Sequence, residues 1–166
     1  MNLLDRDVFA VLLALVVVAT FFSLALMLRP HEHFLLATLL NANCSIGTYP
    51  RAVVNGGNIT LCLYLENHLG EPIYVQIRYK IGTNETLPTN STPSPEPTLK
   101  TFETILEDRA NVTLRMVVPV YVKPSLVGQR IALIFEVWIY DVDNDSWKYT
   151  GIWLHHYVKV YEVGTP

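Results

Sequence analysis

Between Val8 and Leu28 the chain runs 21 residues without a charge, a proline or a glycine. As a helix this stretch covers about 31 Å, enough for a hydrocarbon core of about 30 Å. A buried helix of a water-soluble domain would normally be shorter and carry a polar stripe. The pattern predicts a transmembrane helix over 8–28, a short cytoplasmic tail over 1–7, and residues 29–166 together on the far side. A cleaved signal peptide would want a basic start, a shorter apolar core and a small-residue cleavage site. The chain instead opens Met1-Asn2-Leu3-Leu4-Asp5-Arg6-Asp7 and lacks Ala-x-Ala. A lipoprotein signal would place small residues before its cysteine, whereas Asn43 precedes Cys44. Arg6 and Arg29 flank the span at opposite ends, so charge does not orient it.

Beyond the span the period changes from helical to two. Pro30 ends the helix, and Phe34–Leu40 follows as a first buried strand, too short to cross a membrane. With almost no linker, the outer domain is expected to stand flush on the bilayer. From Asn58 to Glu66 the chain alternates, with Ile59, Leu61, Leu63 and Leu65 inward and Asn58, Thr60, Cys62 and Glu66 outward. Asn67 to Pro72 reads as a turn, with Gly70 free to take positive φ. Ile73, Val75, Ile77, Tyr79 and Ile81 alternate again, against Gln76, Arg78 and Lys80. Val112, Leu114, Met116 and Val118 do the same, with Thr113 and Arg115 outward. Ile131–Tyr140 and Trp147–Tyr161 are apolar on both parities, as central strands are. With a weaker strand over Leu99–Leu106, the count is about seven antiparallel strands. This predicts an all-β ectodomain, an immunoglobulin-like β-sandwich behind one helix. The Pro/Thr-rich stretch 82–98 holds four prolines and two glycosylation sequons. It is expected to be a mobile insertion that packs no core.

Composition narrows the function. Residues 30–166 carry a mild, dispersed negative charge, and no basic patch argues for nucleic acid. The span holds no ionisable residue, which argues against transport or proton relay. Of ten asparagines, six open Asn-x-Ser/Thr: Asn43, Asn58, Asn84, Asn90, Asn111 and Asn144. At the chain's Ser and Thr frequency chance gives about 1.2, so the excess points to an extracellular, glycosylated domain. Cys44 and Cys62 fall on the same side, where disulfides persist. Joining them would stabilise the fold by about 3 kcal/mol in the chain-entropy picture.

Tyr49-Pro50, the turn Asn55-Gly56-Gly57-Asn58-Ile59-Thr60 and the strand end Glu66-Asn67-His68 resemble the outer module of an archaeal membrane-protein family, the domain of unknown function family 1616. Trp153-Leu154-His155-His156-Tyr157-Val158 is similar to that module's last strand, and the likeness covers roughly residues 33–160. Family members often have several spans, and this chain has one. The resemblance implies location, a sandwich fold and an archaeal source, and it brings no catalytic residue.

Candidate chemistry is sparse. Asp141, Asp143 and Asp145 alternate as in a calcium loop, but Ser146 stands where the turn glycine belongs and Ile152 where the bidentate glutamate belongs. His31, His33, His68, His155 and His156 lack metal-site spacing, so no metal and no cofactor is expected. No strained Gly-x-Ser-x-Gly turn is present, and Glu66, Glu71 and Glu136 cannot be placed as a glycosidase pair from sequence. Trp138, Trp147 and Trp153 surround the last hairpin, either as a sugar-stacking platform or, more commonly for large rings, as core. The expected function is that of a non-catalytic, membrane-anchored surface glycoprotein, held by lipid through 8–28 and assembling with other envelope or membrane proteins or with itself. The alternatives are a glycan-binding or enzyme-accessory module, and a filament subunit donating Phe34–Leu40 to a neighbour.

Overall fold

The computed structural model describes residues 3–28 and 33–162. Pro30 and His31, to which the sequence reading assigned roles, lie outside the described residues. The chain forms two units, 1–32 and 33–166. In the first, helix α1 spans Leu3–Met27. Its stretch Asp7–Met27 is long and apolar enough to cross a membrane, although a signal sequence passes the same test. None of that stretch is buried by the protein. Thr20 returns its hydroxyl to the Val17 carbonyl at 2.8 Å, so this polar group is satisfied within the helix.

Among its described residues the second unit contains eight strands: β1 Phe34–Leu40, β2 Ala52–Val54, β3 Gly57–His68, β4 Ile73–Gly82, β5 Lys100–Leu106, β6 Asn111–Val120, β7 Arg130–Asp141 and β8 Ser146–Tyr161. They form two sheets, of order β1-β3-β6 and β2-β8-β7-β4-β5. Neither the count of seven nor the all-antiparallel arrangement holds, because β2 adds a three-residue parallel pairing to β8. Three residues are too few to show a period. β1 pairs with β3 of its own chain, from Phe34↔His68 to Leu40↔Cys62.

One core lies between the sheets. β3 contributes Ile59, Leu61, Leu63 and Leu65, and β6 contributes Met116, Val118 and Val120. Facing them are Val75, Ile77 and Tyr79 of β4, Ile131, Leu133, Phe135 and Val137 of β7, and Val158 and Val160 of β8. In β3, β4 and β6 this is the parity read as inward from the alternation; β7 and β8, apolar on both parities, gave no such reading. Tyr79 is fully buried and donates its hydroxyl to the Pro119 carbonyl at 2.9 Å. Burial pushes that phenol well above its ordinary pKa.

Cys62 has the outward parity, yet it is completely buried. The loop after β1 folds over it and joins it to Cys44 in a disulfide, with Cα atoms 5.1 Å apart. Tyr49 at the end of that loop donates to the Leu39 carbonyl at 2.8 Å.

The expected turn starts later than read, because β3 continues through Asn67 and His68. Gly70 takes φ +88° as anticipated. Asn67 itself is fully buried. Its amide lies 2.8 Å from the Glu71 carbonyl, 3.0 Å from that of Leu106 and 3.1 Å from that of Glu107. Its side-chain oxygen accepts the Leu69 N–H at 3.0 Å. One side chain thus ties the β3–β4 turn to the β5–β6 turn. Asn67→Ala strands these buried groups, each worth about 1–3 kcal/mol. Urea denaturation of the protein in detergent should show a loss of about 2–4 kcal/mol, while Asn58→Ala, on the exposed face of the same strand, should be close to neutral.

Candidate functional site

The three tryptophans leave the core altogether. In β4, β7 and β8 one parity is consumed by the core, so the other builds the outer face of the five-stranded sheet. The register places Tyr74, Gln76, Arg78 and Lys80 of β4 beside Tyr140, Trp138, Glu136 and Ile134 of β7. These continue onto Trp147, Tyr149, Trp153 and His155 of β8. The last two strands read as apolar on both parities for this reason: one side is aliphatic core and the other is largely aromatic.

Three ring groups result. At the hairpin end Trp147 lies with its ring centroid 5.0 Å from that of Tyr74 and 5.3 Å from that of Tyr140. Tyr74 donates its hydroxyl to Glu103, and Tyr140 donates to Asp145. Next to them Trp138 lies 5.4 Å from Tyr149, with the Arg78 guanidinium 3.8 Å above its ring. Gln76 links Arg78 Nε, at 2.7 Å, to Glu103 Oε1, at 2.6 Å. Tyr74 and Gln76 hold the Glu103 carboxyl below its ordinary range. Further along β8, His155 lies between Trp153 and Tyr157, at 5.3 and 4.8 Å. Burial, then His156 and Arg130, lower its imidazole pKa.

The stretch 82–98, expected to be a mobile insertion that packs no core, crosses this face as a strap. Pro88 and Ser94 are buried. Fully buried Glu136 accepts the Ser94 N–H at 2.6 Å and Trp138 Nε1 at 3.1 Å, and pairs with Lys80 Nζ at 3.1 Å. Lys80 Nζ also donates to the Ser94 carbonyl at 2.7 Å. The Tyr149 hydroxyl reaches the Thr89 carbonyl at 2.9 Å, and burial pushes its pKa up to about 12. Gly151, at φ +80°, sits at the β7–β8 register shift where the Asn90 carbonyl passes 2.3 Å from the place a Cβ would occupy. No sequence periodicity reports such a strap; its one trace is Glu136, the single charge within Ile131–Tyr140.

The remaining candidates are dispersed. Asp141 accepts the N–H groups of Asp143 and Asn144, both at 3.1 Å, and the Asn144 amide at 2.8 Å, so it closes the hairpin turn. Among the described residues no group of three His, Cys, Asp or Glu side chains is placed to hold a metal ion. A cleft of about 640 Å³ opens beside that hairpin, lined by Glu71, Asp141, Asp143 and Lys148 among others. Glu66 lies on the outer face of the smaller sheet, with the core between it and Glu136, so these two are not a catalytic pair. His33 bonds the Leu69 carbonyl at 2.8 Å and His156 the Pro50 carbonyl at 2.5 Å. All six sequon asparagines are exposed.

No family model and no curated protein matches the chain. Solved structures share distant shape. The alkylpurine DNA glycosylase AlkC of Pseudomonas fluorescens, bound to DNA containing an abasic site analog, is 16% identical over 78% of this chain and 29% of its own, with TM-score 0.39. A β-glucosidase from Listeria innocua in complex with isofagomine is 8% identical over 80% of this chain and 17% of its own, at TM-score 0.41. PapD-like domain 7 of human CEP192 is 9% identical over 83% and 91%, at 0.37. At these values the likenesses carry no functional implication.

Two outcomes test this geometry. Lys80→Met leaves the Glu136 carboxylate buried and unpaired, a loss of about 3–5 kcal/mol. It should also open 82–98 to limited proteolysis, read by mass spectrometry. On the other sheet Glu66 accepts from His68 Nε2 at 2.7 Å and from the Tyr64 hydroxyl at 2.8 Å, which lowers its pKa, His68 contributing most. A carboxyl lowered on folding stabilises above its unfolded pKa and loses that contribution as pH falls through its folded value. Denaturation midpoints of the wild type should therefore drop further on acidification than those of Glu66→Gln.

Proposed function

We propose that this chain is a non-catalytic, single-pass membrane glycoprotein of an archaeal envelope, with α1 retained as its anchor and an immunoglobulin-like sandwich outside the cell. The observation that carries this reading is the exposure of all six sequon asparagines, including Asn58 and Asn111, which begin or lie within strands and still take the outer parity. The Cys44–Cys62 disulfide supports an oxidising compartment. The likeness of Tyr49-Pro50 and Glu66-Asn67-His68 to family 1616 supports the same location and source.

The role is protein–protein assembly beside other envelope or membrane proteins, or with further copies of the chain. β5 and β6 are edge strands of the two sheets. They and the loop that follows β6 leave Ile105 69% and Tyr121 75% exposed. Unpaired edges with exposed apolar side chains favour lateral packing. A second reading, a glycan-binding or enzyme-accessory module, is favoured by the Tyr74–Tyr140–Trp147 ring group and would lose glycan-array binding on Trp147→Ala.

Glycopeptide mapping of native protein should find sugar on several of the six asparagines, and a C-terminal tag should be open to external protease. Unmodified asparagine at all six sites with a protected tag overturns the topology. In mild detergent the protein should migrate as an assembly that Ile105→Lys reduces; a monomer that binds glycans favours the second reading.

A further inference from the structure

At Asn43-Cys44-Ser45 the fold bends and pins an exposed sequon. Asn41, which opens no sequon itself, accepts with its side-chain oxygen the Asn43 N–H at 2.9 Å, the Ser45 N–H at 3.2 Å and the Ser45 hydroxyl at 3.2 Å. Its backbone N–H donates to the Ser45 carbonyl at 3.0 Å, and its carbonyl accepts the Cys44 N–H at 2.9 Å. Cys44 stands at φ +57°, a left-handed conformation that a side-chain-bearing residue rarely takes. Its sulfur is bonded to Cys62, fully buried within β3. The hydroxyl that defines the sequon is thus engaged, and the backbone around it is bent and covalently pinned.

Glycosylation joins the asparagine amide nitrogen to the anomeric carbon of an oligosaccharide carried on a lipid phosphate. The N–C bond forms as the C–O bond to the phosphate breaks, the lipid phosphate leaves with the electron pair, and the amide proton passes to a base of the transferase. That enzyme must seat the sequon, hydroxyl included, in its own cleft. Disulfide formation takes two electrons and two protons from the Cys44 and Cys62 thiols and passes them to a disulfide-bearing oxidant.

We infer that these two modifications compete in time at one place: Asn43 receives its glycan only before Cys44 and Cys62 are joined, and disulfide closure shuts the sequon. The inference rests on the extracellular, glycosylated reading above. Cys62 follows Cys44 by 18 residues. At about 5–20 residues per second Cys62 is made only about 1–4 seconds after Cys44, so the partner thiol follows the sequon closely. Asn90, in the strap, and Asn144, in the last hairpin, are remote in sequence from the disulfide and serve as internal controls.

The full chain, made in its membrane-bound form in a host that N-glycosylates, tests this by site-resolved occupancy from glycopeptide mass spectrometry. Wild-type protein should carry sugar on only a fraction of Asn43. Cys62→Ala, which leaves all three sequon residues intact, should raise that occupancy severalfold with Asn90 and Asn144 unchanged. A pulse of dithiothreitol during synthesis of wild-type protein should produce the same rise, independent of how the variant folds. Full occupancy of Asn43 in disulfide-bonded wild type, or equal occupancy in wild type, variant and pulse while Asn90 is modified, overturns the inference. If no sequon is modified in any sample, the extracellular reading fails first and this inference falls with it.

Discussion

Burial of a single strand parity between two sheets governs the rest of this domain. Ile59, Leu61, Leu63 and Leu65 of β3 close against Ile77 and Tyr79 of β4 and Leu133 and Phe135 of β7, all in one core. Each such side chain contributes about 1.5–3 kcal/mol on leaving water. A slip of one residue in any of these strands would exchange the core set for the outer set. Once the register is held, every other residue of those strands must lie on an outer face, and the chemistry of the domain is decided by what that face carries.

On the smaller sheet the outer parity brings Cys62 under the loop from β1, where Cys44 meets it. On the larger sheet it brings rings and ions. Glu136 and Lys80 would be costly to bury alone. They are tolerated because the carboxylate also receives the Ser94 N–H and Trp138 Nε1, and the ammonium also finds the Ser94 carbonyl. These contacts specify where the proline-rich strap crosses, and the strap in turn makes the site dry enough for the pair to matter. At the other end of β4, Asn67 does comparable work with four hydrogen bonds between two turns.

The aromatic face follows from the same division. Trp138, Trp147 and Trp153 look like core material by residue type, and the core has no room for them once the aliphatic parity is inside. They cover the outer sheet instead, with Arg78 stacked on Trp138 and tyrosine hydroxyls tied to Glu103 and Asp145.

The sequence by itself determined the local facts. An uncharged run of 21 residues specifies an apolar helix, and period-two alternation specifies β3, β4 and β6 and which of their side chains enter the core; β1 was legible only as a short apolar run, and it is half-buried to exposed rather than buried. The place of both cysteines beyond the span was enough to expect the bridge, and the outward parity of Cys62 put it on the outer face of β3. Tertiary structure decided what no period encodes. The parallel strand β2 is too short to carry a pattern and exists because β8 offers an edge. The strap at 82–98 looks unstructured, because proline and threonine bring little apolar area; its order comes from hydrogen bonds to Glu136, 42 residues away along the chain. The hairpin aspartates share the alternation of a calcium loop, but the missing glycine and glutamate already argued for an acidic hairpin tip, and Asp141 spends its oxygens on that turn. Periodicity reports which side of a strand is buried, whereas partnership between distant polar groups is settled only when the sheets close.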